Sequence, residues 1–243
     1  VKHANPCGVA VADTVGESYA RALAADPVSA FGGVVVVNRE VTGPLGEALA
    51  EQFVEVLFAP GYDESALAAL TRKASIRVLS DTEQRTLDEG ERDYRRVIGG
   101  LLVQDRDPRI ESREGMDVVG GEVSEEEWED LLFAWRVAKH VTSNAIVLAR
   151  GGQTIGIGAG QMSRVDAVRI AVEKAREHGH SLEGSVLASD AFFPFADGPQ
   201  LALEAGVVAI VQPGGSKRDG EVIEAVSSAG AAMVFTHRRH FRH

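Results

Sequence analysis

A chain of 243 residues that is 44% hydrophobic and 25% charged is long enough for one sizeable core or two smaller ones. Its net charge of −11 argues against a nucleic-acid binder, which carries a basic face, but leaves small anionic ligands open, because a pocket's local field can oppose the global sign. A single Cys excludes an intrachain disulfide and suits a reducing cytoplasm, and no apolar run is long enough to cross a bilayer.

The opening stretch “VKHANPCGVAVAD” places an amine (Lys2), an imidazole (His3), an amide (Asn5) and the thiol (Cys7) within a few residues. Next, “GESYARALAA” has the spacing of an amphipathic helix, and “FGGVVVVNREV” is a β-branched run of the kind buried in a parallel sheet. “GPLGEALAEQF” returns to helix, “VEVLFAPGY” reads as a strand ending in a Pro-Gly turn, “DESALAALTRKA” as a capped helix and “SIRVLS” as a strand. Two polar sections follow, residues 81–93 and “QDRDPRIESREGMD”, and they mark the boundary between lobes at 1–118 and 119–243. Ser124 and Glu127 form a capping box ahead of the helix “WEDLLFAWRVAKHV”, and “NAIVLAR”, “GGQ” and “TIGIGAG” predict a hairpin. “SRVDAVRIAVEKAREHG” is a long helix closed by Gly179. The strands “SVLASD”, “VVAIVQP” and “AAMVFT” then alternate with the helices “GPQLALEAG” and “DGEVIEAVSSAG”. The fold class is α/β.

Several motifs bear on chemistry. “HANPCG” departs from a zinc deaminase, which needs His-x-Glu and Pro-Cys-x-x-Cys, because Asn5 replaces the Glu and no second Cys exists. A lone Cys7 before Gly suits a small buried residue. Lys2 and His3 either decorate a tight turn or supply a cationic stabiliser and a proton acceptor, with the neighbouring ammonium disfavouring imidazolium. “GIGAG” has G-x-G-x-G spacing, not that of a dinucleotide loop, although it suits a glycine-lined approach of backbone to an anion. “QPGGSKRDG” is no Walker loop. It fits either a nest of backbone N–H groups beside Lys217 or a plain solvated helix start. The rings of “SDAFFPFADG” suit a wall for a flat heterocycle, and the cationic end “RRHFRH” suits docking near an anion.

Taken together and in this order, “KHANPCG”, “DPVSAFGG”, “APGY”, “SNAIV”, “GIGAGQMSRVDAVRIA”, “SDAFFPFADG”, “QPGGSKRD” and “RHFRH” make the chain resemble one family. It is the bifunctional purine biosynthesis family, at its C-terminal aminoimidazole-carboxamide ribonucleotide (AICAR) formyltransferase part. The resemblance implies two cytidine-deaminase-like α/β/α lobes without zinc, and formyl transfer from the co-substrate 10-formyltetrahydrofolate to the 5-amino group of AICAR. By that resemblance, His3 is the proton acceptor and Lys2 the transition-state stabiliser. Phe31 and Gly32 sit by the AICAR base, Glu55 is an acidic ribose contact, and Arg239 lies on the phosphate side. Asn144, Arg164 and Phe192 match contacts made across a homodimer, and Val165, Asp197, Ser216 and Lys217 match folate contacts. A monovalent cation such as potassium is implied near “VTSN” and Asp190.

Two departures stand out. The family's Arg-Tyr-Gly-Glu-Asn-Pro stretch, expected upstream of Lys2, is absent, as is the IMP cyclohydrolase domain, so the chain reads as a C-terminal fragment. His237 and Arg238 stand where bacterial relatives usually have Gly and Met. The rival expectation is an inactive nucleotide-binding or dimerisation remnant of the same fold.

Overall fold

The computed structural model describes residues 1–73, 75–83, 90–109 and 112–242. Thr14 starts α1 (Val15–Ala25) by accepting the Glu17 N–H at 3.2 Å. Asp26 ends that helix and caps the one-turn α2 (Pro27–Ala30), whose Pro stands where no amide donor is needed. β1 (Gly33–Val36), α3 (Gly43–Glu51), β2 (Val54–Ala59), α4 (Glu64–Leu70) and β3 (Arg77–Ser80) follow. Their strands form a parallel sheet in the order β1-β2-β3, over a core of Tyr19, Leu45, Leu49, Leu57 and Leu70. The parallel pairing of the valine run agrees with expectation, but its burial does not. β1 is an edge strand, and Val36 is 60% exposed.

The charge-dense middle conceals an antiparallel hairpin, β4 (Arg92–Val97) and β5 (Gly100–Asp105), exposed along its whole length. Residues 84–89 of the first polar section and 110–111 of the second lie outside the described residues. β6 (Asp117–Gly120) crosses the expected lobe boundary. The capping box then appears as read: Ser124 Oγ accepts the Glu127 N–H, and Glu127 accepts the Ser124 N–H at 2.7 Å, opening α5 (Glu125–Ala138). β7 (Ile146–Arg150), β8 (Gln153–Gly158), α6 (Arg164–Glu177), β9 (Ser185–Ser189), α7 (Asp197–Glu204), β10 (Val207–Gln212), α8 (Asp219–Ser228) and β11 (Ala232–Phe235) complete the chain.

A second sheet takes the order β6-β11-β10-β9-β7-β8. Strand alternation sends Ile146 and Leu148 to one face, where they pack with Val168, Val172, Phe193 and Val222 from the α6–α8 side. Val147 and Ala149 face the other way, against Trp128, Leu131 and Trp135 of α5. Each Leu or Phe buried fully in these layers contributes about 2 kcal/mol relative to exposure. This half is therefore an α/β/α sandwich.

The two halves touch along β8. Val11 N–H donates to Gly152 O at 2.8 Å and Thr154 N–H to Val9 O at 3.0 Å, so the segment after the opening turn extends the sheet edge. Arg21 of α1 reinforces this contact by donating to Gly151 O and to Gln153 Oε1.

Candidate active site at the opening turn

Strand direction gathers the second-half residues. β9, β10 and β11 are parallel, β7 runs against β9, and β8 runs against β7. The ends of β8, β9, β10 and β11 and the start of β7 therefore share one edge of the sheet, where ligands bind in open α/β sheets. On that edge lie Asn144 ahead of β7, Arg164 and Val165 opening α6, Phe192 after β9, Asp197 opening α7, Ser216 and Lys217 before α8, and Arg239 after β11.

The opening turn reaches the same place. Asn5 Oδ1 accepts the Thr142 N–H at 2.8 Å, and Thr142 O accepts the Gly160 N–H. Lys2 and Asn5 exchange backbone hydrogen bonds around His3, which is exposed at φ +53. Lys2 is half-buried, and its Nζ donates to Phe31 O at 2.8 Å and Gly32 O at 2.9 Å. Gly32 adopts φ +64, and its N–H donates to Phe53 O; a Cβ there would lie 3.2 Å from Lys2 Nζ and 3.1 Å from the Phe53 ring. The Phe31 ring, 61% exposed, pairs with Phe53 at a centroid distance of 5.1 Å. Glu55 is exposed on β2, 3.5 Å from Arg77.

At the sheet edge a buried network fixes the other residues. Arg164 is 8% exposed, and its guanidinium donates to Ser189 Oγ, to Asp190 Oδ1 and to Asn144 Oδ1. Asp190, fully buried, also accepts from Ser143 Oγ and from the Ala145 N–H. Of the residues named for a cation, Ser143 and Asp190 are thus already joined to each other, and Asn144 and Asp190 to Arg164. Asn144 Nδ2 donates to Gln161 O at 2.8 Å. The C-terminal segment is pinned to this network, with Arg242 N–H donating to Ser143 Oγ and His240 N–H to Asp190 O. His240 Nδ1 lies 2.5 Å from Asp107 Oδ2. Arg239 is exposed and stacks on Phe241.

Phe193 belongs to the core, Phe192 is half-buried, and Phe195 is half-exposed with the Arg218 guanidinium 5.0 Å from its ring, so only part of “AFFPF” can serve as a ligand wall. Asp197 is exposed and accepts the Gly198 N–H, and Lys217 is exposed beside half-buried Ser216.

Two motif readings are corrected. In “GIGAG”, Gly156 and Gly158 let α6 approach β8: a Cβ would stand 2.1 Å from Ala171 O and 1.9 Å from Ala167 O. In “QPGGSKRDG”, the Gly215 and Ser216 N–H groups donate to Asp219 Oδ2, so the nest is filled by the helix's own carboxylate. Burial pushes the Cys7 thiol pKa up, in keeping with a structural cysteine. Cys7 lines a mostly apolar cavity of about 580 Å³ between β1, α1 and residues 7–13, apart from Lys2 and His3. Among the described residues no group of His, Cys, Asp and Glu is arranged to hold a metal ion. The sequence ties Asp190 to a cation and not to Arg164, and shows Asn5 only as part of the opening turn; nothing in it marks Phe53.

Fold and site define a mixed α/β protein whose polar groups converge at one sheet edge, where the opening turn meets it. The family model described as AICARFT/IMPCHase bienzyme matches residues 1–174, more than two thirds of the chain. The chain belongs to that family, and so to the enzymes of purine biosynthesis. The match includes the Lys2–His3 turn and both Asn144 and Arg164.

Proposed function

We propose that this chain carries the formyltransferase side of the bienzyme, moving a formyl group from 10-formyltetrahydrofolate to the 5-amino group of AICAR. That amine is conjugated with its imidazole and carboxamide, so its lone pair is a poor nucleophile. Attack needs a base for the proton and a positive group for the tetrahedral oxyanion. His3 takes the proton and Lys2 steadies the oxyanion. The observation that carries this reading is the Asn5–Thr142 hydrogen bond, which attaches the Lys2–His3 turn to the sheet edge.

The Phe31 ring offers a face to the AICAR base beside Gly32, Glu55 meets the ribose and Arg239 the phosphate. Val165, Asp197, Ser216 and Lys217 stand where helices begin along that edge and meet the folate, with the exposed Lys217 ammonium facing its anionic part. Asn144 and Phe192 serve the site of a second copy in a cytoplasmic homodimer, and Arg164 orients Asn144 for that contact. The two halves correspond to cytidine-deaminase-like lobes, a reading supported by the α/β/α layering of the second.

Isothermal titration of the full-length protein with AICAR and with a folate analogue tests the proposal against an inactive remnant. Saturable binding of both ligands is the expected result. A protein that binds AICAR but no folate would be a nucleotide-binding remnant, and one that binds neither would leave only a dimerisation role.

A further inference from the structure

Asp26 lies away from the residues assigned above, yet its carboxylate is among the most heavily engaged in the molecule. It is 9% exposed. It accepts the Ser29 N–H at 2.9 Å and the Ser29 hydroxyl at 2.7 Å, which caps α2. From α6, Lys174 Nζ approaches at 3.2 Å, and His178 Nε2, just beyond the helix end, also lies at 3.2 Å. Burial by itself would raise the Asp26 pKa, but the bonds from Ser29 and Lys174 outweigh it and hold the carboxyl below its ordinary value. The group is therefore an anion clasped between two elements.

What the clasp holds is short. α2 has four residues, so its cap decides its direction. The Ala30 N–H donates back to Asp26 O, the Phe31 N–H to Val28 O, and the chain then turns at Gly32. The carbonyls of Phe31 and Gly32 are the acceptors of the Lys2 ammonium. The other end of α6 begins with Arg164, in the Asn144–Asp190 network. A single helix thus joins that network to the base of the Lys2 cradle.

We propose that Asp26, held by Ser29 and Lys174, is a positioning residue that sets the two carbonyls aiming Lys2. Its kinetic consequence rests on the formyltransferase reading; its effect on Lys2 does not.

The test uses the full-length protein and two readouts. The first is the rate at which acetic anhydride acetylates Lys2, relative to exposed Lys73, measured by peptide mass spectrometry. The second is kcat and KM for AICAR. In Asp26→Ala, Lys2 acetylation should rise by about fivefold, the scale of weakening one hydrogen bond to a charged group. Turnover should fall by about tenfold or more with KM for AICAR within about twofold, as expected for a displaced catalytic group. Asp26→Asn, which keeps a good cap, should fall between. A merely structural role would lower the melting temperature and leave Lys2 acetylation in the folded protein unchanged, and that result overturns the proposal. If Asp26→Ala does not fold, Lys174→Met removes one arm of the clasp from a partly exposed position, and unchanged Lys2 acetylation there also overturns it. Absence of formyl transfer in the unsubstituted protein would refute the activity, while the acetylation rates would still decide the role of Asp26.

Discussion

Lys2 is fixed by two carbonyl oxygens, neutral partners that leave its charge available to an anion forming in front of it. Lys2→Met should therefore lower turnover by about a hundredfold or more, the range for losing an oxyanion stabiliser. An unchanged kcat would remove Lys2 from the chemistry. Gly32→Ala acts on the same ammonium from behind: the backbone is in the left-handed region, and the new methyl would press on Lys2 Nζ and the Phe53 ring. It should cost about tenfold in kcat, as sub-ångström misplacement does, with the fold retained by circular dichroism. A full rate in a folded Gly32→Ala protein would show that the cradle does not aim Lys2. The Lys2–His3 pair was legible because reactive side chains cluster there within a few residues. The partners that aim it were not. Asn5 meets Thr142 137 positions away, and no local pattern reports such a contact. Nor could the left-handed backbone at His237 be read, where the imidazole lies 2.7 Å from Asp117 Oδ2.

At the scale of elements, capping and periodicity were reliable where the local rule and the fold agree. Thr14, Asp63 and Ser124 all cap the helices that follow them. The hairpin β4–β5 is hidden because β4 carries Arg92, Asp93, Arg95 and Arg96 where a strand normally alternates, and the burial of β1 is not legible because a valine run does not say whether a further strand lies beside it. Gly158 illustrates the opposite case, a motif whose apparent chemistry is packing. Gly158→Ala should destabilise by about 1–3 kcal/mol or more, the range for overpacking, as measured by the midpoint of urea unfolding. A neutral result would return “GIGAG” to the ligand side.

The C-terminal segment adds a pH dependence. Burial, together with the positive charges of Lys139 and Arg242 and against the opposing charge of Asp107, lowers the His140 pKa from its ordinary value of 6.5. A base whose pKa is depressed by folding stabilises the native state above its unfolded pKa, and that contribution is lost as pH falls through the folded value. A charged His140 ring repels Arg242, so amide protection at residues 238–242 should fall as the pH drops below the ordinary histidine value of 6.5. His140→Gln should flatten that dependence in hydrogen-exchange measurements; an identical profile in both proteins would contradict it.

For the whole molecule, the α/β class and the order of elements follow from alternating helix and strand periods. Sheet order, strand direction and the joining of the halves along β8 depend on pairing between distant segments. That pairing brings residues read separately, such as Lys2, Asn144 and Asp197, toward one edge, and it makes α6 a strut between the Asn144 network and the Lys2 cradle. The most direct test is the rate of formyl transfer to AICAR in the full-length protein with His3→Ala, at saturating AICAR and 10-formyltetrahydrofolate. Turnover should fall by at least about a hundredfold, the lower end of the range for losing a general base, while AICAR still binds by titration. Full turnover in His3→Ala would contradict the assignment of the opening turn as the site of chemistry.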